Sequence, residues 1–462
     1  MTQKILKLLL FLLSFSAAAS AQLVGFEDQI PQNFKCSKPQ ELALSTDYYK
    51  EGAKSLEWNF TPSSVIDVAV EKPFALKDDN GIMLWIYNER PQKDSLRFEF
   101  YAPNGDVSYR FAFRLYSAGW RACWIGFKNM QGDKKNHNVA GYRIIAPERK
   151  GRVYLDRLTF PVKKINDRTT PDLQMPSNNS LSYRDLWHWC RVWQWEQYKY
   201  DIPLAKQLTA DEKQDLKTVE KRLTEALDVR VAPKKQVEKA YATFKKVNIR
   251  KSGDGFTGAP IVAPDELNRK KGEITLNDVE DMLAGFALDA YCNHSAEAYN
   301  NYFLVWDYAI NQGFAFGSGM GTNHHYGYQI RRVYNTAWLM RDAIWRSKNR
   351  DNILSTLIFW SALQETRVPA KAGRDELLDS WHTLLMAKTV SSLLMVNPCE
   401  RARALTGLTR WLSGTLQYTP GTIGGIKVDG TTFHHGGFYP AYTTGVLAMI
   451  GQYISLTNHT RY

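Results

Sequence analysis

The sequence predicts an N-terminal β-sandwich followed by an all-helical domain, and two observations on periodicity support this. In roughly the first third of the 462-residue chain, apolar and polar residues alternate, which is the period of a half-buried β-strand. After a proline-rich stretch, apolar residues recur every three or four positions, which is typical of a helix that buries one face. A single change of period predicts separate β and α parts rather than alternating units.

The β-sandwich is predicted at residues 22–162. Leu96, Phe98 and Phe100 alternate with polar residues, and a second alternating run follows the turn signal Asn104-Gly105. Two such runs around an Asn-Gly pair predict a β-hairpin with one buried face. Further strand-like segments occur at 55–60, 82–87 and 153–158. Their number and spacing are typical of an all-β sandwich.

Residues 163–205 are predicted to be a linker or a wrapping segment, because prolines and polar residues replace the periodic pattern there. Helices are predicted over 206–462, beginning with a capping box formed by Thr209 and Glu212. Apolar residues with helical spacing recur in 276–291, 302–311, 333–345, 353–363, 376–394, 401–416 and 444–455. Short connections predict paired antiparallel helices, a pattern compatible with an α/α toroid.

The first residues, 1–21, have the pattern of a secretory signal peptide. Two lysines precede an apolar run, and small residues follow up to Ala21, where cleavage is expected. The apolar run is too short for a stable anchor, so we expect a secreted or periplasmic protein with no membrane span after signal removal.

The formal net charge of +12 predicts an anionic partner. A nucleic acid is not expected, because the chain has an export signal and lacks a helix-turn-helix or zinc-finger pattern. An acidic extracellular polysaccharide fits better. The five cysteines are scattered, so at least one is unpaired within the chain, and we expect them to be buried as small apolar side chains.

Three stretches of the sequence contain side chains that could take part in catalysis or in ligand binding. The stretch 433–442, between the last two predicted helices, combines glycines and a proline with His434, His435, Tyr439 and Tyr442. Such an exposed loop is where function concentrates. The alternative is a loop that is held by its own aromatic packing, with ordinary surface histidines.

The second stretch follows the glycine-rich segment 317–321, and its members are His324, His325, Tyr326, Tyr328 and Arg331. The glycines are not a phosphate-binding loop, because no Gly-Lys-Ser/Thr follows them. The adjacent histidines also lack metalloprotease spacing, so a sugar-binding or acid/base role is favoured. The third stretch, 187–198, is rich in tryptophan and includes Trp195, which either binds sugar or packs in the core.

Together these stretches resemble the chondroitin sulfate ABC lyase branch of polysaccharide lyase family 8. The resembling segments are 84–89, 118–122, 154–157, 324–328 and 429–442. The resemblance implies a jelly-roll sandwich of the carbohydrate-binding type, followed by an incomplete α/α toroid and then by large β-sheet domains. It also implies a lyase that cleaves chondroitin and dermatan sulfate by β-elimination at uronic acid, yielding unsaturated oligosaccharides.

The resemblance also implies roles for individual residues. His435 matches the catalytic histidine of the family, and Tyr442, seven positions later, matches its catalytic tyrosine. Tyr442 would take the C5 proton and return a proton to the leaving oxygen, while His435 polarises the carboxylate or shares the proton. The pair His324 and His325 would act on the opposite uronate epimer. Substrate binding is assigned to Tyr326, Tyr328, Arg331, Trp195, His434 and Tyr439.

The chain departs from the family at its C-terminus, because the family completes its catalytic set with a downstream Arg and Glu. We therefore expect a truncated toroid at 206–462 and little or no turnover by the isolated chain. The sandwich is expected to hold a structural Ca²⁺ through Glu27 and Asp156, although both also suit a role as surface carboxylates. No organic cofactor is expected.

Two alternatives stay open. The chain could be a non-catalytic glycosaminoglycan-binding protein, or a lyase for another acidic polysaccharide such as hyaluronan, alginate or heparin, because toroids host several specificities. The expected partner is a sulfated glycosaminoglycan, and the protein is expected to be a monomer.

Overall fold

The structure is a computed structural model that describes residues 23–75, 80–133, 138–163, 165, 170, 172–175, 192–252, 255–262, 272–322, 326–374 and 377–462. The predicted signal peptide lies outside the described residues. So do the His324 and His325 pair and the tryptophan-rich stretch before Val192.

The N-terminal domain is a sandwich of two antiparallel sheets. Its described strands are β1 (Leu23–Val24), β2 (Phe34–Cys36), β3 (Leu42–Ser45), β4 (Ser55–Phe60), β5 (Val65–Ala75), β6 (Gly81–Asn88), β7 (Ser95–Tyr101), β8 (Val107–Arg114), β9 (Gly119–Gly126), β10 (Asn138–Ile145) and β11 (Gly151–Val162). One sheet has the order β3-β4-β11-β6-β9, with β1 paired to β11, and the other has the order β2-β5-β10-β7-β8. The predicted sandwich is confirmed.

The hairpin predicted around Asn104-Gly105 is formed by β7 and β8. Leu96 lies opposite Phe113, Phe98 opposite Phe111 and Phe100 opposite Tyr109. The three β7 residues are fully buried in the sandwich core. Gly105 has a φ of +89°, a conformation that favours glycine and closes the turn.

Strands β6 and β9 are buried on both faces, as is unusual for an antiparallel sheet. Ile82, Leu84 and Ile86 point into the sandwich core. The alternate residues Trp85 and Tyr87 belong instead to a cluster shared with the helical domain. Residues on both faces of β6 are therefore apolar, which explains why this segment lacks an alternating pattern.

The C-terminal domain is helical. Its described helices are α1 (Val192–Glu196), α2 (Ala210–Leu227), α3 (Lys234–Val247), α4 (Leu276–Asn293), α5 (Ala296–Asn311), α6 (Arg331–Leu339), α7 (Arg341–Arg346), α8 (Arg350–Trp360), α9 (Leu377–Leu394), α10 (Pro398–Thr415) and α11 (Pro440–Thr457). Short strands accompany them: β12 (Arg250–Ser252), β13 (Gly255–Thr257), β14 (Gly425–Ile426), β15 (Thr432–His434) and β16 (Gly437–Phe438). The predicted helical domain is confirmed.

The start of α2 follows the sequence pattern closely. The Thr209 Oγ1 accepts a hydrogen bond from the Glu212 backbone N–H, and the Glu212 side chain accepts one from the Thr209 N–H. This capping box satisfies two backbone donors that a helix start would otherwise leave unpaired. Leu216, Val219 and Leu223 then bury one face of the helix.

Helix α9 lies at the centre of the domain and packs against α6, α10 and α11. Most of its residues are buried. Within the described ranges, no helix combines the length and the apolar character needed to cross a membrane. The described cysteines Cys36, Cys123, Cys292 and Cys399 are free thiols, whereas Cys190 lies outside the described residues.

Candidate active site

Three structural elements meet around the side chain of Tyr442. This residue lies in the first turn of α11, which begins at Pro440. The hairpin of β15 and β16 precedes the helix, and the tight turn Tyr326–Gln329 approaches from an earlier part of the chain. The N-terminal part of α9 supplies the remaining side chains, those of Asp379 and His382. The loop 433–442 and the second predicted stretch are therefore brought together.

The hairpin turn sets the positions of the two histidines. His434 pairs with Gly437 across the hairpin, so His435 and Gly436 form its two-residue turn. Both have positive φ, +53° and +77°, as such turns require. His434 is buried, whereas His435 is exposed at the tip. The turn therefore places one imidazole inside the site and presents the other to solvent.

A chain of hydrogen bonds runs through the tyrosines. The Tyr442 hydroxyl donates to Asp379 Oδ1 at 2.9 Å and accepts from the Tyr328 hydroxyl at 3.0 Å. The Tyr328 oxygen lies 3.2 Å from His382 Nδ1. Because Tyr328 donates to Tyr442, its oxygen is left to accept from an Nδ1–H of His382. All donors in this series of hydrogen bonds therefore point from His382 towards the Asp379 carboxylate.

His434 lies beside the acidic end of this chain. Its Nε2 is 3.6 Å from Asp379 Oδ2, which is longer than a hydrogen bond. Its ring stacks on that of Tyr442, with centroids 5.2 Å apart, and on that of His435, with centroids 3.7 Å apart. Ring stacking therefore positions His434, while Asp379 accepts its hydrogen bond from Tyr442.

Close packing of α9 on α11 fixes His382. A Cβ on Gly445 of α11 would lie 2.6 Å from His382 Nε2, so only glycine allows this approach. Asp379 and His382 are three residues apart and therefore lie on one face of α9. That face is turned towards Tyr442.

Burial and charge both act on the titratable groups. Burial, the hydrogen bond from Tyr328 and the negative charge of Asp379 raise the pKa of Tyr442 above its usual range. Burial also raises the pKa of Tyr328. A phenol with a raised pKa keeps its proton at neutral pH. The hydroxyl of Tyr442 is hydrogen-bonded to a carboxylate and to a neutral phenol.

We expect acidification to weaken the fold through His382. Burial and the charge of Arg331 lower the pKa of His382 below its usual 6.5, with Asp379 acting in the opposite direction. Because the unfolded chain binds this proton at a higher pH than the folded chain, the neutral imidazole stabilises the fold above about pH 6.5, and that stabilisation is lost as the pH falls. Urea unfolding between pH 5 and 7.5 measures this effect. The free energy of unfolding should depend less steeply on pH in His382→Gln than in the unmodified protein. An unchanged slope in the variant would contradict this.

The other predicted site residues fall into two groups. Tyr439 and Arg331 are exposed beside the cluster, and the Arg331 guanidinium lies 5.5 Å from the Tyr328 ring centroid. Tyr326 and Trp195 are instead buried, each with 1% of its surface exposed, and Tyr326 packs edge-on against Trp360. These two side chains lie in the core and offer little surface to a ligand in this conformation.

Asp379 and His382 were not singled out from the sequence. The helix that contains them was predicted, but most of its residues are apolar and pack in the core. The available signal was an acid and a histidine three residues apart near the start of an otherwise apolar helix. Polar side chains on such a helix must find partners, which makes them candidates for a site.

The predicted calcium ligands lie near each other, since Glu27 contributes to a raised pKa of Asp156, whose main cause is burial. Asp156 accepts backbone N–H bonds from Lys50, Glu51 and Arg157, and Glu27 accepts one from Ala53. The described residues include no group of three or more His, Cys, Asp or Glu that could hold a metal ion. The three backbone N–H groups explain how the Asp156 carboxylate can be buried. Calcium binding stays a prediction.

A thermal-shift titration tests that prediction. A structural site should raise the melting temperature as CaCl₂ is added, because a ligand that binds only the folded state stabilises it. Glu27→Gln should abolish the rise, and MgCl₂ serves as the ionic control. A melting temperature that does not respond to calcium would remove the metal from this domain.

Two family models match the chain. Residues 20–177 match the model described as "Lyase, N terminal", and residues 202–462 match the model described as "Lyase, catalytic". The second match covers more than half of the chain.

Curated relatives are found in two organisms. A chondroitin sulfate ABC exolyase of Bacteroides thetaiotaomicron is 30% identical over 95% of this chain, and a chondroitin sulfate ABC exolyase of Proteus vulgaris is 25% identical over 93%. A chondroitin sulfate ABC endolyase of Proteus vulgaris is 22% identical over 93% of this chain. In each case the alignment spans 46% of the relative, so the chain covers about half the length of these proteins.

Proposed function

Since this chain belongs to the lyase family whose N-terminal and catalytic domains it carries, we propose that it acts in a polysaccharide lyase that cleaves chondroitin or dermatan sulfate by β-elimination. The relatives named above support the substrate class. The observation that carries the proposal is the hydroxyl of Tyr442, held between Tyr328 and Asp379 beside the exposed His435.

In this proposal Tyr442 carries the proton and His435 is its partner. The C5–H bond of the uronate breaks and its proton goes to the Tyr442 oxygen. The electron pair forms the C4=C5 double bond, the C4–O4 bond breaks, and O4 leaves with a proton from Tyr442. No water is consumed, and the products are an unsaturated uronate and a new chain end.

The raised pKa of Tyr442 determines what its neighbours must do. A protonated phenol is the form needed to protonate O4. To accept the C5 proton first, Tyr442 must pass on its own proton, and Asp379 Oδ1 accepts it along the 2.9 Å hydrogen bond. Asp379 is therefore proposed as the group that holds this proton during the reaction.

The uronate carboxylate also needs a cationic or hydrogen-bonding environment, because C5 becomes acidic only if the developing negative charge is stabilised. His435 at the hairpin tip and Arg331 beside Tyr328 are exposed and are proposed to face this carboxylate. A role of His324 and His325 with the opposite epimer stays a prediction, since both lie outside the described residues.

The test is turnover of chondroitin 4-sulfate, dermatan sulfate and hyaluronan by the complete product of the gene, followed by the absorbance of the unsaturated uronate. We expect the chondroitin and dermatan substrates to be cleaved. Cleavage of hyaluronan alone would favour the alternative of a lyase for another acidic polysaccharide. Retention on immobilised chondroitin sulfate without cleavage would favour a non-catalytic binding protein.

We also propose that the protein is exported and acts as a monomer on its glycosaminoglycan. The pattern of residues 1–21 supports export. N-terminal sequencing of the mature protein should begin after Ala21, and light scattering after gel filtration should give the mass of one chain.

A further inference from the structure

A cavity of about 330 Å³ lies next to the part of the chain that precedes α9. Its wall consists of the end of α1 and the segment between Val368 and Arg374. The side chains that matter here are Trp195, Tyr198, Glu365, Lys371 and Arg374. The volume is within the range of small-ligand sites.

The charge of the cavity is set by a buried ion pair behind it. Glu365 lies 3.0 Å from the ammonium of Lys388, which is fully buried. Ser380 donates to the same Glu365 oxygen at 3.3 Å. Lys388 already balances Glu365, so among the described residues that line the cavity the charges of Arg374 and Lys371 can face a ligand.

Arg374 is held in place yet keeps donors for a ligand. Its Nη2 donates to Glu365 Oε2 at 3.5 Å, and 19% of its side chain is exposed. A guanidinium has five N–H donors in a planar fork, which matches the oxygens of a carboxylate or a sulfate. Lys371 is exposed at the rim and adds a second positive charge.

The aromatic wall is fixed by a hydrogen-bonded arginine. Arg367 Nη1 donates to the carbonyl oxygens of Glu196 and Tyr198, at 3.0 and 3.1 Å. This anchors the end of α1, with Trp195 inside and Tyr198 partly exposed. Because Trp195 is only 1% exposed, it closes the back of the cavity, and the aromatic surface that a sugar ring could meet beside the cations is that of Tyr198.

The cavity and the Tyr442 cluster flank the same helical turn. Asp379 accepts from Tyr442, and the next residue, Ser380, donates to Glu365. Side chains of consecutive residues on a helix point about 100° apart, so the two sites adjoin the same turn of α9 in different directions. The cavity and the Tyr442 cluster are therefore neighbours in the fold.

We propose that this cavity is a second sugar subsite, in which Arg374 and Lys371 bind the carboxylate or sulfate of a sugar unit adjacent to the one cleaved at Tyr442. The inference rests on the proposed function for the identity of the polymer. It assigns a specificity role to Arg374 and Lys371, which were not predicted from the sequence, beside Trp195, which was.

Calorimetric binding tests this with Tyr442→Phe as the background, so that no probe is cleaved. The probes are a chondroitin 4-sulfate hexasaccharide and its desulfated counterpart. Lys371→Gln and Arg374→Gln should each weaken binding by about tenfold, as expected for the loss of one charge-assisted contact. The matched control is Lys213→Gln, which removes the same charge from an exposed position on α2 outside the cavity.

The results separate the possibilities. Weakening confined to the sulfated probe assigns the cations to sulfate, and weakening with both probes assigns them to the carboxylate. Unchanged affinity in both cavity variants would overturn the subsite. If the complete product of the gene cleaves nothing but Lys371→Gln still weakens binding, the proposed lyase activity fails and the subsite stands. Arg374→Lys tests whether a loss of binding in Arg374→Gln comes from misfolding. It keeps the positive charge next to Glu365 and should therefore fold like the unmodified protein.

Discussion

In the complete product of the gene, replacing Tyr442 by phenylalanine should lower kcat on chondroitin sulfate by about 10²–10⁴-fold, the range expected for the loss of general acid–base catalysis. The change removes one oxygen atom, which donates to Asp379 and accepts from Tyr328. The ring and its stacking on His434 remain, so affinity for uncleaved substrate should change little. The measurement is initial rates from the unsaturated uronate, combined with binding to an immobilised polysaccharide.

Tyr418→Phe is the matched control, since Tyr418 is a largely exposed tyrosine of the same domain that lies outside the cluster. Its kcat should stay within about twofold of that of the unmodified protein, because surface changes away from a site have little effect. If Tyr442→Phe kept more than a tenth of the activity, Tyr442 could not be the proton carrier. Loss of affinity together with kcat would instead indicate a role in holding the substrate.

Replacing Lys388 by methionine should lower the free energy of unfolding by about 3–5 kcal/mol, the cost of breaking a buried ion pair. The ammonium of Lys388 lies 3.0 Å from Glu365, and neither side chain is more than 2% exposed. Without Lys388, the Glu365 carboxylate would be left with the more distant Arg374 at 3.5 Å and with Ser380. Urea unfolding at neutral pH measures the difference.

The same substitution at Lys221 provides the comparison. Lys221 pairs with Glu225 at 3.8 Å on the surface of α2, with both side chains more than 60% exposed. Such a pair contributes about 0.3–0.5 kcal/mol, so Lys221→Met should hardly change stability. Adding Glu365→Gln to Lys388→Met should recover part of the loss, because the unpaired charge is then removed. Equal destabilisation by the two lysine substitutions would contradict this view of the buried pair.

Features that depend on neighbouring residues could be predicted from the sequence. The hairpin around Asn104-Gly105 and the capping box of Thr209 and Glu212 each depend on residues a few positions apart. Their turn and cap chemistry is visible in the local sequence. The order of a β-sandwich and a helical domain was predicted in the same way from periodicity.

The candidate site was predicted only in part, because its contacts join distant segments. Tyr442 and Asp379 are 63 positions apart, and Tyr328 and Tyr442 are 114 apart. No spacing rule connects such residues, so Asp379 and His382 were missed. The burial of Tyr326 and Trp195 likewise depends on how the helices pack, which an aromatic-rich sequence does not reveal.

The sheet that is buried on both faces makes the two domains interdependent. If the sandwich were separated from the helices, Trp85, Tyr87, Trp120 and Trp124 would form an aromatic patch in contact with water. Large exposed apolar patches promote aggregation, so the sandwich should not behave as a detachable sugar-binding module. The described domains should accordingly unfold in one cooperative transition. A destabilising substitution in either domain should therefore lower the stability of the other.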